Sequence, residues 1–299
     1  MIPPMKLRDW ININKINWDN LSKNPNAIHL LEKNKKRINW KNLSENTNAI
    51  YLLEKNLDKL NWMHLCLNSN ALHLLRKNQD KIFWHWLSLN PNAIDLIENN
   101  MDKINWCGLL SNPNAIHLIE QNRNKILWWD RICTNTNAIH IIEEEDNYTK
   151  LNWFSLSTNP SAIQFLEKNI ENICWSGLCI NPNGIKLLEQ NPDKIYWKAL
   201  CMNPNAIHLL EKNINNINWN NLSENPNAIH LLEKNQDKIN WNLLSYNPSI
   251  FEYDYEKMKE QMKESQLAEE LAEKVFSPIR LMKLCKQYNL ELEELQEMY

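Results

Sequence analysis

The sequence predicts an all-α fold: a solenoid of about eleven short helical hairpins with a helical C-terminal cap. Three observations predict it. Tryptophan recurs every 22 residues, as Trp18, Trp40, Trp62, Trp84 and Trp106, and again as Trp153, Trp175, Trp197, Trp219 and Trp241. Trp128-Trp129 lies between the two series, with one extra residue near it and two more in Glu143–Tyr148. Asparagine stands six positions after the repeat tryptophan in all eleven units, from Asn24 to Asn247. A fixed period of this length marks a stacked-repeat architecture.

With tryptophan as position zero, the elements follow in order. A partial unit occupies Leu7 to Ile13. Helix A is short and carries the tryptophan and Leu or Ile at +3. Two residues compete to cap it, Asn at −1 and Asp at −4 (Asp58, Asp80, Asp102, Asp237), and the sequence leaves both open. Helix B, of roughly nine residues, starts at Asn +6, a favoured N-cap. Position +7 is Pro in eight units and Thr47, Ser69 or Thr136 in three. Proline suits a first helical position because its missing N–H would be unpaired there anyway. Asn at +16 (Asn34, Asn56, Asn78, Asn235) is expected to end helix B in the left-handed conformation that asparagine tolerates. After Trp241 the pattern decays: Asn247-Pro-Ser-Ile-Phe-Glu-Tyr-Asp-Tyr255 keeps the cap but puts Asp254 at +13. A long helix to about Val275, carrying Met258, Met262, Leu267 and Leu271, and two shorter helices after Ser277-Pro278 complete the chain.

Neither helix is long enough to be stable alone in water. One unit cannot bury its own Trp, Ile and Leu side chains, so stacking must bury them. The expected organisation is an N-terminal cap over 1–17, the solenoid over 18–256 and a helical segment over 257–299. That segment is expected to cover the last hairpin's open end, and the particle to be elongated or superhelical and free of β-sheet.

Composition narrows the function. The 299 residues carry a net charge of −3, fifty asparagines, fourteen tryptophans and three glycines, Gly108, Gly177 and Gly184. So few glycines exclude a glycine-rich phosphate loop or dinucleotide fingerprint. No apolar run suits a membrane span or a secretory signal, and the seven cysteines show no CxxC spacing, which points to a reduced, cytoplasmic chain. Asn-Leu-Ser triplets at Asn20, Asn42 and Asn221 match the glycosylation pattern only because the repeat does.

Four sets of residues could carry chemistry. Histidine recurs at +11 (His29, His73, His117, His140, His208, His230). Successive rungs about 10 Å apart cannot share one zinc ion, whose bonds are about 2 Å long, so a solvated helix face is the reading. Cys66, Cys133, Cys179 and Cys201 fall at +4, where serine stands in most other units, which marks a small-residue packing slot. Glu143-Glu144-Glu145-Asp146 reads as a solvated loop. The fourth set varies. At +1, +2 and +5 the first units are polar (Asp19, Asn20, Lys23) and so is the tenth (Asn220, Asn221, Glu224), but the middle units place Met63, Leu67, Trp86, Leu89, Phe154, Ile180 and Met202 there. An apolar stripe of this kind marks a partner-binding surface unless it packs against the next turn of a tight superhelix.

The unit Asn-Pro-Asn-Ala-Ile…Leu-Leu-Glu…Asp-Lys-Ile-Asn-Trp…Leu-Ser resembles the repeat of proteins encoded by giant nucleocytoplasmic DNA viruses, mimivirus-like ones above all. Lys6-Leu-Arg-Asp-Trp-Ile11, Asn247 to Tyr255 and Val275-Phe-Ser-Pro-Ile-Arg-Leu281 are similar to the same proteins. The resemblance covers almost the whole chain. It implies a viral repeat protein acting in the host-cell cytoplasm or packaged in the virion, and it brings no activity or site residues with it.

The expected function is a non-catalytic scaffold with no cofactor or metal, binding a viral or host protein partner through the variable helix-A face. Single-stranded nucleic-acid binding is the alternative, which needs a row of cations and aromatics; Lys at −3 comes nearest. A virion structural role is the third reading. An enzyme is not expected, nor is a membrane protein.

Overall fold

The computed structural model describes residues 3–145 and 148–264, with 274, 277, 280–283 and 285 beyond them. The expected helices past Glu264 therefore lie almost wholly outside the described residues. The chain divides into two compact units, Leu7–Phe251 and the combination of Met1–Lys6 with Glu252–Tyr299.

The larger unit is an α-solenoid of eleven repeats. Helix A starts at the tryptophan each time, from Trp18–Leu21 to Trp241–Leu244. Asn at −1 caps it in seven repeats: the Asn17 side chain accepts the Asn20 N–H at 3.0 Å, and Asn39, Asn61, Asn105, Asn152, Asn218 and Asn240 do the same. Asp at −4 instead lies in a 3-10 turn, as in Leu57–Lys59. Helix B runs from Ile28–Lys33 to Ile229–Lys234 in ten repeats. Asn +6 opens it as expected, its side chain accepting the +8 N–H through one tight turn such as Pro25–Ala27.

Two local expectations are corrected. Asn +16 is not left-handed: its φ lies between −126° and −138°. Its side-chain amide folds back onto the +12 carbonyl, as Asn34 does onto Leu30 at 2.8 Å, so asparagine ends the helix by donating to an orphan carbonyl. Nor is tryptophan the buried core. The repeat tryptophans are half-buried. In seven of them the next −3 cation lies over the ring, as Lys81 does over Trp62 at 4.7 Å. The fully buried side chains are Leu or Ile +3, Ala +9 and Leu or Ile +13, typified by Leu43, Ala49 and Leu53.

Repeats are stitched by one conserved set of bonds. The Asn46 amide donates to the carbonyls of Ser22 and Asn24 in the preceding repeat, at 3.1 and 2.9 Å. The same pair of bonds recurs at Asn68, Asn90, Asn112, Asn135, Asn159, Asn181, Asn203, Asn225 and Asn247. All these asparagines are buried, and the bonds satisfy the +4 carbonyl and give the +6 carbonyl a second donor beside the +9 N–H of its own repeat. Serine at +4 works on both sides of the joint. Ser44 Oγ donates to the Trp40 carbonyl and accepts the Asn61 N–H of the next repeat.

The set also joins the last repeat to the first. Asn24 donates to the carbonyls of Ser245 and Asn247, Asn26 to that of Pro248, and the Asn17 N–H to Ser245 Oγ, while Lys15 lies over Trp241. One transformation applied eleven times returns to its start, so the Leu7–Phe251 unit is a closed ring with a rotation of about 33° per repeat. Within this unit, closure takes the place of the expected open, elongated array. The edge of repeat 11 is taken by repeat 1; the C-terminal segment expected to cover it lies mostly outside the described residues.

The segments on either side of the ring, Met5–Leu7 and Phe251–Tyr253, form a sheet that was not expected. Strand β1 (Met5–Leu7) pairs with β2 (Phe251–Tyr253). The Arg8 N–H donates to the Ile250 carbonyl and the Asp254 N–H to that of Pro4, an antiparallel register. After β2 the helix Tyr255–Glu264 begins, with Asp254 accepting the Lys257 N–H.

Candidate binding surface in the ring lumen

Helix A lies inside the ring and helix B outside. Neighbouring helices A nearly touch. A Cβ added at Gly177 would meet the Phe154 carbonyl oxygen at 2.9 Å, and one at Gly108 the His85 carbonyl at 3.0 Å. Neighbouring helices B meet instead through long side chains such as His208 and Glu189. In a closed ring the elements with the tighter spacing lie on the smaller circle. Positions 0, +3 and +4 of helix A pack toward helix B and +2 starts in the joint with the preceding helix A, so +1 and +5 face the lumen. Eleven helices about 8 Å apart make a circle of about 14 Å radius, and side chains reaching about 5–6 Å inward leave a bore of about 17 Å.

Six of the seven candidate residues, at +1 and +5, therefore stand on the lumen face, and Trp86, at +2, packs beside His64 of the preceding repeat. Phe154 and Met202 are 49% and 42% exposed, and Met63, Leu67, Trp86, Leu89 and Ile180 are half-buried. Trp86 stacks on His64 at 6.4 Å and meets His85 edge-on at 5.7 Å. His64 pairs with Glu45, which also holds Lys23, so an ionic chain from the first repeats braces the Trp86 ring. Gly177 makes room for Phe154: a Cβ there would stand 3.3 Å from the phenyl ring.

The lumen has two sides. In repeats 10, 11, 1 and 2, position +1 is Asn220, Asn242, Asp19 and Lys41. Asn17, Asn39 and Asn240 at −1 bond to the preceding +1 side chain. Asn20, Asn42 and Asn221 at +2 bond to the preceding +1 carbonyl, at 2.8 Å each. Linear distance separated the polar first and last units; closure makes them one polar arc, interrupted by half-buried Leu243 and Tyr246. Repeats 3 to 9 form the other side, where the apolar candidates alternate with exposed His85, Asp130, Arg131 and Lys198.

Sequence reasoning missed a further group there. The −1 asparagine becomes Phe83, Trp128 and Tyr196, which are 49%, 42% and 58% exposed, and none makes a side-chain cap bond. They stand at the lumen mouth, because the −1 side chain elsewhere reaches the preceding +1 residue. The signal was present: an aromatic where the repeat calls for asparagine. Trp128 also lines a cavity of about 380 Å³ with Leu127, Lys150 and Leu151 at the register slip.

The other candidate sets resolve into joints between repeats. Five of the +11 histidines pair with Glu at +14 of the preceding repeat, His73 with Glu54, His117 with Glu98 and His140 with Glu120 at 2.7 Å, and His208 and His230 likewise. Between repeats 3 and 4 the polarity is swapped, Arg76 pairing with Asp95. Cysteine at +4 is more than a small hydrophobe: Cys66, Cys179 and Cys201 accept the next repeat's −1 N–H through sulfur at 3.3–3.4 Å. Burial pushes all four thiols up, Cys133 to about 11, which disfavours the thiolate a nucleophile needs. Glu143, Glu144 and Glu145 pair with Lys168, Arg123 and Lys150; Asp146 lies outside the described residues. Among the described residues, no three His, Cys, Asp or Glu side chains converge as a metal site, and no helix is long and apolar enough to cross a membrane.

Comparison with known proteins finds no matching family model, no matching curated protein and no matching solved structure.

Proposed function

We propose that the chain is a non-catalytic ring scaffold that holds a protein partner against its inner helix-A face. The observation that carries this is where the repeat departs from its own consensus. The four helices A that lack a side-chain cap, at Phe83, Trp128, Cys174 and Tyr196, all fall in repeats 4 to 9. Each lost cap costs about 1 kcal/mol of helix stability. Replacing the +2 asparagine, as at Trp86, gives up a joint bond of the Asn42 kind. Substitutions that weaken the scaffold and expose apolar side chains on one arc serve contact with something else.

Nucleic acid fits less well. Most lysines at −3 are laid over tryptophan rings of the preceding repeat, and the net charge is negative. On the giant-virus resemblance, the partner belongs to the virus or its host and meets the ring in the host cytoplasm; a place in the virion is the alternative.

Photo-crosslinking tests the proposal. A benzophenone amino acid replaces Phe154 or Met202 in the lumen, or Lys186 on the outer face, in lysate of the cells that make the protein. The expected result is one nuclease-resistant protein adduct from the two lumen positions and none from Lys186. Adducts from Lys186 alone, or their loss on nuclease treatment, would overturn it.

A further inference from the structure

We propose that one edge of the ring seats on the surface of an anionic lipid bilayer. The edge is made by the connections from each helix B to the next helix A, positions +15 to −1, together with Asn12 to Asn17 before repeat 1. Equivalent positions of a closed ring lie on one circle, so these connections face one plane. Apolar exposure gathers there. Among the described residues of Leu7–Phe251, ten of the thirteen exposed large hydrophobics lie on this edge. Leu57, Met101, Ile170 and Ile214 all hold position +17, just after helix B, and the exposed aromatics Phe83, Trp128 and Tyr196 end the same connections. The opposite edge, from helix A to helix B, differs. Its Asn at +8 donates to the preceding repeat, as Asn48 does to the Pro25 carbonyl and Asn205 to that of Pro182, and no large hydrophobic at +6 to +9 is exposed among the described residues.

Charge divides the same way. The apolar edge carries eighteen Lys or Arg against nine Asp or Glu, and the rest of Leu7–Phe251 seven against fifteen. The chain-wide charge of −3 conceals this division. Lys35, Lys36, Lys77 and Lys212 are exposed and in no ion pair among the described residues. A flat, basic edge with scattered aliphatic and aromatic side chains matches an anionic bilayer: apolar groups enter the headgroup layer, Trp and Tyr settle at the interface, and lysines meet the lipid phosphates. A second copy docked edge to edge would set two net-positive surfaces together. A nucleic acid would use the lysines and stack on the aromatics, but it has no use for the four aliphatic side chains at +17. The contact uses neither +1 nor +5, so this proposal and the lumen reading stand or fall separately.

Vesicle flotation of the full chain tests this, with phosphatidylcholine vesicles that contain or lack about 30% phosphatidylserine. Binding is expected only with phosphatidylserine, and is expected to weaken at about 0.5 M salt. Two double variants, Lys35→Glu with Lys36→Glu and Leu57→Gln with Ile214→Gln, should each weaken it at least about tenfold. Lys186→Glu on the outer face should leave it unchanged. All five side chains are exposed, so circular dichroism should not change in any variant. No binding to either vesicle, equal binding to both, or an equal loss with Lys186→Glu overturns the proposal. If the Leu57 and Ile214 variant floats as well as the original chain while single-stranded DNA competes for binding, the edge is a polyanion site and the lipid reading falls.

Discussion

Asn24 donates its side-chain amide to the carbonyl oxygens of Ser245, at 3.2 Å, and Asn247, at 2.9 Å, more than 220 residues away. The other buried +6 asparagines, a belt running from Asn46 to Asn247, each make the same two bonds to the repeat just before them in sequence. Geometrically, therefore, repeat 11 is the predecessor of repeat 1, and the one joint without a covalent link has the same design as the ten that have one.

Closure predicts tolerance to circular permutation. A chain that starts in the connection after Asn122 and joins residue 251 to residue 7 by a short linker is expected to fold, with a melting temperature within about 5 °C of the original. In an open array the linker could not span the ends, and the permutant would aggregate or unfold.

Belt asparagines should be costly to remove. Asn112→Ala deletes two donated bonds, leaving the buried Ser88 carbonyl without its donor and the Asn90 carbonyl with the Ala93 N–H. A loss of about 2–4 kcal/mol is expected in urea unfolding. Asn24→Ala should cost a similar amount and also enlarge the radius of gyration in small-angle scattering, because its joint alone can open.

The tryptophans separate by position. Trp84→Ala removes a half-buried ring lying under Lys103 and should cost about 2–3 kcal/mol, less than a fully buried aromatic would. Trp86→Gln should cost under about 1 kcal/mol, since its ring lies beside His64 and His85 rather than in the core. Equal losses in thermal melts would mean that Trp86 is internal packing.

Gly177→Ala is expected to destabilise by about 1–3 kcal/mol, because the new Cβ meets the Phe154 carbonyl at 2.9 Å and a helix A must shift. The shift should also change the reactivity of a probe placed at position 154.

Thiol titration gives the pH prediction. Folding holds Cys66, Cys133, Cys179 and Cys201 as neutral thiols, with Cys133 titrating at about 11, while the unfolded chain ionises near 9.0. The folded state thus binds more protons between these values. Its thiol-linked stability is complete below pH 9 and declines as pH rises toward 11. Replacing the four cysteines with serine should flatten the melting temperature over that window. In native protein at pH 8 these thiols should resist a maleimide that labels half-buried Cys107 and Cys174.

Within a repeat, most of the design was legible. Asn at +6 with Pro at +7 announced helix B, and Trp with Leu or Ile at +3 announced helix A. Closure was not, because it depends on about 33° of rotation per step, a property of spacing spread over all eleven joints. Still, a signal existed. Open solenoids end in repeats with polar outer faces, yet repeat 1 keeps Asn24 and Asn26, and repeat 11 keeps Ser245, Asn247 and Pro248. Both carry interface residues that an end repeat would not need. The lumen stripe was read from Phe154 and Met202, but its polar half looked like two unrelated termini until Asn17 met Asn242.

A linear array melts from its tips, because a terminal repeat has one neighbour and frays first. Here each repeat has two, and only the joint between repeats 11 and 1 lacks a covalent link, so that seam is where the ring opens first. Any other repeat must break both its interfaces together to leave, a larger barrier than peeling from an end. Once the seam has opened, the repeats form an ordinary open array that can unravel from both new tips. Unfolding should therefore be slow to begin and abrupt once begun, with hydrogen-exchange protection lowest in repeats 1 and 11.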